Sequence, residues 1–289
     1  MKKTILVTGA NGQLGQSLQM LKDTAGKNIE WLFCGRNELD ITDNEAVTNY
    51  FEKNKIDVLF NCAAYTQVDK AENDEVAAYQ VNAKACKYLA EACHKNNTLF
   101  VHISTDFVFD GTKGTPYKPS DETQALGVYG KSKLKGEQYV QAIAKRYVII
   151  RTAWVYSPFL HNFVKTMRRL GNARAEIGVV YDQIGSPTYA IDLAAAMIKM
   201  EEQIDEKQIS KIYHFSNQGI ISWFDFATNI MKLSNLHCKV KPIESHEYPT
   251  PARRPSYSVL WTRDIQNDFD VNVPYWIDSL KKCIQILEE

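Results

Sequence analysis

The sequence predicts an α/β protein in which a doubly wound parallel sheet, covered by helices on both faces, is followed by a smaller, loop-rich C-terminal region. Short β-rich runs alternate with longer helical patterns, as right-handed βαβ units require. The β runs are apolar almost throughout, which suits strands buried on both faces. A glycine-rich turn joins the first run to the first helix.

In order, Thr4-Ile5-Leu6-Val7 opens the sheet, a helix starts at about Gln13, and IEWLFC follows as the second strand. The helix over Asn44 to Lys53 leads into DVLFNCAA, and one long helix is expected from about Val76 to Lys95. LFVHIS, a helix from Tyr129 and the strand YVIIRTAW complete the alternation. Beyond about Trp154 it weakens, and Pro-containing loops appear at Ser186-Pro187-Thr188 and from Tyr248 to Pro255. IYHFS, at Ile212 to Ser216, reads as one more sheet strand, so the chain is expected to return to the first region. The expected division is therefore 1–155 with a returning segment at about 185–218, against 156–184 and 219–289.

Composition excludes several classes. Of 289 residues, 45% are hydrophobic and 24% charged, enough apolar surface to build ordered cores. Lys+Arg and Asp+Glu both number 34, so no overall field draws nucleic acid or an anionic membrane, and any anionic ligand must be held locally. The basic start Met1-Lys2-Lys3 lacks the apolar stretch of a signal peptide, and no apolar run approaches the roughly 20 residues needed to cross a bilayer. A cytoplasmic protein is expected. Cys34, Cys62, Cys86, Cys93, Cys238 and Cys283 form neither a C-x-x-C pair nor a zinc-type cluster, and read as reduced, mostly buried residues.

The turn TGANGQLG places Gly9, Gly12 and Gly15 between strand and helix, with Asn11, Gln13 and Leu14 between them. Such glycines allow a tight turn, close approach of backbone to a pyrophosphate and tight helix packing, while the helix N-terminus offers free N–H groups. This makes the first region a Rossmann-type dinucleotide site. A site for NAD usually shows a carboxylate about 20 residues on. Here Arg36 is available instead, which suits the 2′-phosphate of NADP(H). Glu38 and Asp40 nearby leave room for NAD(H) as well, and a solvated surface arginine is the plain alternative for Arg36.

Tyr129 and Lys133 form Y-x-x-x-K on one helical face. A tyrosine with a pKa of about 10 exchanges protons near neutrality only beside a positive charge, which Lys133 can supply. Tyr129 would give its proton to the oxygen formed as hydride reaches a carbonyl carbon. Thr105, closing the fourth strand in Ser104-Thr105-Asp106, would hydrogen-bond that oxygen. Trp154 lies just past the next strand, where a sugar-pocket wall or a core tryptophan would both fit. Asn162, Gln183 and Trp223 are candidate substrate contacts, and Arg253 and Arg254 in their Pro-fixed loop are candidates for a diphosphate clamp.

TGANGQLG, FNCAAYTQVDKAE, VHISTDFVFDG, YGKSKLKGE, RTAWVY and YPTPARRP, in this order, resemble segments of the dTDP-4-dehydrorhamnose reductases of the extended short-chain dehydrogenase/reductase family. The resemblance implies reduction of the C4 keto group of dTDP-4-dehydro-β-L-rhamnose with NADPH or NADH. It makes Tyr129 the proton donor, Lys133 its partner and Thr105 the keto-oxygen ligand. It also lays Ala63, Ala64 and Tyr65 along the cofactor, Asp40 and Ile41 near the adenine, and Asp106 and Trp154 in the sugar pocket.

Some members of that family hold Mg²⁺ between glutamates at a dimer interface. Here Ser17 stands at the first such position, and Tyr189-Ala190-Ile191 and Ile277 follow where the others are expected. No metal and no Mg²⁺-linked dimer are expected, only a monomer or weak homodimer. Two other readings share the motifs: a nucleotide-sugar epimerase or dehydratase, disfavoured by Phe107 where a dehydratase shows Glu, and a non-catalytic NADP-binding regulatory subunit, disfavoured by the intact Thr105, Tyr129 and Lys133.

Overall fold

The computed structural model describes residues 2–26, 28–204 and 209–289. The first half runs β1 (Lys3–Thr8), α1 (Gln13–Leu21), β2 (Ile29–Cys34), α2 (Asn44–Lys53), β3 (Val58–Asn61), α3 (Val68–Ala71), α4 (Glu75–Tyr79), α5 (Ala85–Asn96), β4 (Leu99–Thr105), α6 (Val128–Ile143) and β5 (Tyr147–Thr152). After it come β6 (Val155–Tyr156), α7 (Phe163–Ala173), β7 (Glu176–Val180), β8 (Ile184–Gly185), β9 (Thr188–Tyr189), α8 (Ala190–Gln203) and β10 (Ser210–His214). The chain ends with β11 (Ile221–Ser222), α9 (Trp223–Leu233), β12 (Lys239–Ile243), α10 (Arg263–Phe269) and α11 (Trp276–Glu288).

Six strands form one parallel sheet in the order β10-β5-β4-β3-β1-β2. The α/β class and the parallel sheet read from the sequence are what the structure has, and IYHFS falls largely in its sixth strand. Side chains alternate across the sheet, so Ile5 and Val7 of β1 point to one face and Leu6 to the other. The first face is covered by Leu14 and Leu18 of α1, Leu193 and Met197 of α8, and Ile265 of α10. The second is covered by Val47 and Phe51 of α2, Leu89 of α5 and Val140 of α6. A separate core, with Val164, Phe226, Ile230 and Leu280, joins α7, α9 and α11.

Strand order reverses at β1, whose neighbours β2 and β3 lie on opposite sides. Ligands of open α/β sheets settle in the crevice at the strands' C-terminal ends beside such a reversal. The exits of β1, β3 and β4 therefore define where a site can form.

Local chemistry sets the element ends. Asp43 caps α2 by accepting the N–H groups of Glu45 and Ala46. Ser222 and Asp225 form a reciprocal capping box on α9. The helix expected to run unbroken from Val76 to Lys95 is instead divided into α4 and α5 by a π turn over Gln80–Lys84. Asn82, within that turn, exchanges two hydrogen bonds of 2.9 and 3.0 Å with the backbone of Tyr65. The extra residue of a π turn presents Asn82 to the exit of β3. Among the described residues no helix is long and apolar enough to cross a membrane.

Candidate active site

Gly9 leaves β1 at φ +69, a conformation that glycine adopts without strain, and a side chain there would meet the Ala63 backbone nitrogen at 2.6 Å. At Gly15 a Cβ would come within 2.4 Å of the Gly9 carbonyl oxygen, so α1 packs directly on the turn. No side chain caps α1 at Gly12 and no acid occupies its first turn. Its leading N–H groups are thus left for an anion, as a pyrophosphate would require. Asn11 abuts Gly35, where a Cβ would meet the Asn11 amide at 2.3 Å. Leu14 is buried, whereas Gln13 turns toward the C-terminal region, accepting from the Ser157 hydroxyl at 2.8 Å and the Asn162 amide at 3.0 Å.

At the exit of β2, Arg36 is 83% exposed, and its Nε lies 3.4 Å from Asp40. Such an exposed pair is worth little by itself, which leaves the guanidinium available to an incoming anion. Asp40 accepts the hydroxyl and backbone N–H of Thr42, and these bonds hold its pKa below the ordinary carboxylate value. Ile41 beside it is buried. Cys62, Ala63, Ala64 and Tyr65 line the exit of β3, each half-buried. The other five cysteines are buried and all six are free.

Thr105 closes β4, and its hydroxyl donates to Asp106 at 3.0 Å while accepting the Phe107 N–H. Asp106 is 2% exposed, and burial pushes its pKa up to about 7 against the pull of the Thr105 and Ser258 hydroxyls. Its second carboxylate oxygen has no partner among the described residues. Tyr129 opens the facing helix α6 and takes the ring of Phe107 edge-on at 5.5 Å. Burial pushes its phenol up to about 12, the Thr105 hydroxyl pulls it down and the Asp106 carboxyl raises it further. Thr105, Asp106 and Tyr129 thus share one space.

Lys133, one turn on, is 2% exposed and donates to the Ile103 carbonyl at 2.6 Å. Burial lowers its pKa, while Cys86, Glu137 and Cys62 act in the other direction. A further turn along α6, Glu137 accepts the Ser104 hydroxyl at 2.5 Å and two bonds from Arg151. Sequence reasoning missed Glu137 and Asn82. Arg151 inside the apolar run YVIIRTAW was a usable signal, because a charge in a strand buried on both faces needs a partner.

Trp154 takes a left-handed conformation at φ 50 and stacks on Trp223 at 3.7 Å and 14°. A Cβ at Gly185 would meet the Trp154 ring at 2.7 Å and the Ser258 hydroxyl at 2.8 Å. Ser258 in turn influences Asp106, so the two tryptophans adjoin the Thr105–Tyr129 space. The remaining substrate candidates are held by the chain itself. Asn162 caps α7 and gives its amide to Gln13, Ser157 and Phe159. Gln183 donates to Ser245 at 2.9 Å. Arg254 grips both oxygens of Asp69 at 3.0 and 2.7 Å, while Arg253 is exposed. A groove of about 510 Å³ lined by Lys118, Tyr147, Lys211 and Trp261 lies along the β10 edge, apart from this constellation. Among the described residues no group of His, Cys, Asp or Glu is arranged to hold a metal ion.

The model of one family, described as the RmlD substrate binding domain, matches residues 1–289. A dTDP-4-dehydrorhamnose reductase of Aggregatibacter actinomycetemcomitans is 42% identical over 286 residues, covering 96% of this chain and 97% of the relative. A crystal structure of such a reductase from Clostridium acetobutylicum superposes with a TM-score of 0.93 at 41% identity, covering 99% of this chain and all of that one. Another, from Bacillus anthracis in complex with NADP, gives 0.93 at 36% identity with the same coverage.

Proposed function

The chain belongs to the RmlD substrate binding domain family over its whole length, and from that membership we propose that it is a dTDP-4-dehydrorhamnose reductase. It reduces the C4 keto group of dTDP-4-dehydro-β-L-rhamnose to dTDP-L-rhamnose with NADPH, or NADH, in the last step of dTDP-rhamnose biosynthesis. One observation carries this reading: Thr105, Asp106 and Tyr129 converge at the sheet edge that also bears the glycine turn, with buried Lys133 one helical turn on.

When bound, the dinucleotide supplies the hydride that reaches the keto carbon. The uncapped start of α1 at Gly12 to Leu14 would hold its pyrophosphate and Arg36 its 2′-phosphate, with Asp40 and Ile41 toward the adenine and Ala63 to Tyr65 along its length. The Thr105 hydroxyl turns from Asp106 to the keto oxygen and aligns it. Tyr129, fully protonated near neutrality because burial holds its pKa high, passes its phenolic proton to that oxygen as the new C–H bond forms. The phenolate left behind would draw on the Lys133 ammonium, one turn along α6, once that group turns from the Ile103 carbonyl, until a proton returns from solvent. Asp106 accepts from the sugar through its unpartnered oxygen, and the Trp154–Trp223 stack walls the pocket.

In this reading 1–155 with 185–218 serve the cofactor, and 156–184 with 219–289 serve the sugar nucleotide. The enzyme works in the cytoplasm as a monomer or weak homodimer. Phe107 against Tyr129 offers no acid for a dehydratase.

The test supplies dTDP-4-dehydro-β-L-rhamnose in situ from the upstream epimerase and follows NADPH absorbance. Wild type should consume NADPH and yield dTDP-L-rhamnose, and Tyr129→Phe should lose about 10²–10⁴ of the rate, the usual contribution of a positioned acid. Absence of oxidation with both NADPH and NADH refutes the assignment.

A further inference from the structure

We propose that Glu72 is a positioning residue for the reaction above: from the turn that follows α3, its carboxylate caps α6 and fixes the direction of the Tyr129 hydroxyl. The inference rests on the reading of Tyr129 as proton donor, but its geometry stands independently. The helix that carries Tyr129 and Lys133 starts without its own cap. Its N-cap residue is Gly127, no cap side chain bonds to it, and no acid lies in its first turn. The leading N–H groups of a helix need acceptors, and here one comes from a distant part of the chain. Val128, the residue just before Tyr129, donates its N–H to Glu72 Oε1 at 2.9 Å.

Gly127 makes the approach possible, because a Cβ there would stand 2.5 Å from that same oxygen. Glu72 is anchored in turn. It closes α3 with a backbone bond to Lys70, and Asp69 in the same short turn grips Arg254 and accepts the Ala252 N–H. At its inner side α6 is pinned where Lys133 meets the Ile103 carbonyl. Tyr129 lies between these two fixed points. Loss of the outer one frees the first turn to fray, with the phenol on it.

The test compares wild type, Glu72→Ala, Glu72→Gln and Gly127→Ala by steady-state kinetics and by amide hydrogen exchange in Val128–Lys131. Glu72→Ala should lower kcat about tenfold while KM for the keto sugar stays within about twofold, as a small misplacement of a reacting group does. Glu72→Gln keeps an acceptor oxygen and should recover most of that loss. Gly127→Ala displaces the carboxylate without removing it and should reproduce the loss, so it carries the test if Glu72→Ala does not fold. Exchange in the first turn should quicken in the two disabled variants alone. Unchanged kcat, loss without rescue by Gln, or unaltered exchange would each overturn the proposal. Exchange needs no substrate, so it judges the cap even if the wild type shows no turnover, an outcome that counts against the reaction instead.

Discussion

Glu137 and Arg151 close on each other inside the protein, Nε and Nη2 of the guanidinium donating to the two carboxylate oxygens at 2.9 and 2.7 Å, with side chains 0% and 3% exposed. Removing one member of such a pair strands the other charge in a medium that cannot solvate it. Glu137→Ala should therefore cost about 3–5 kcal/mol. Urea unfolding checks this, and Glu137→Gln, which keeps acceptor capacity, should cost less.

Asp106 predicts a pH-dependent stability. Its pKa in the folded protein, about 7, lies above the unfolded value, so the folded state holds a proton that the unfolded state releases first. The stability tied to that proton is present below the unfolded pKa and is lost as pH rises through the folded one. Asp106→Asn removes the penalty, so it should raise the melting temperature, with a gain that grows between about pH 4 and pH 7 and is no more than about 4 kcal/mol at its limit. Thermal melts across that range test it. The same variant should lose activity, the trade common at functional sites.

Arg36 should decide between the two dinucleotides. Arg36→Ala removes a largely exposed cation whose ion-pair partner among the described residues is Asp40, so stability should barely change. KM for NADPH should rise about tenfold or more, in line with a charge-assisted bond of roughly 1.5–3 kcal/mol, while KM for NADH stays nearly constant. Equal effects on both would show that Arg36 does not meet the 2′-phosphate.

The sheet and its helices were legible because they rest on local patterns. The run Asn44 to Lys53, behind the Asp43 cap, is helical over those very residues. Tyr129 and Lys133 also declared themselves by spacing along one helix. What sequence could not show are bonds between residues far apart in the chain. The π turn at Gln80–Lys84 exists where Asn82 reaches back to Tyr65, and no local propensity marks it. Arg254, a candidate diphosphate clamp in the sequence, has Asp69 as a partner that only the fold brings to it. Asn162 looked like a ligand contact, and its amide is bonded to Gln13 of the phosphate turn. Glu72 carried no signal, since an acid after a short helix is ordinary until Val128 is seen above it.

The sixth strand of the sheet, β10, is made late. As the chain leaves the ribosome, β5 emerges with its outer edge unpaired and stays so until Ser210–His214 arrive. Through the same interval Leu14 and Leu18 of α1 lack the cover that Leu193 and Met197 of α8 later provide. A nascent chain ending near Thr152 therefore presents a free strand edge together with a bare apolar face, the two features that most invite association between unfinished chains.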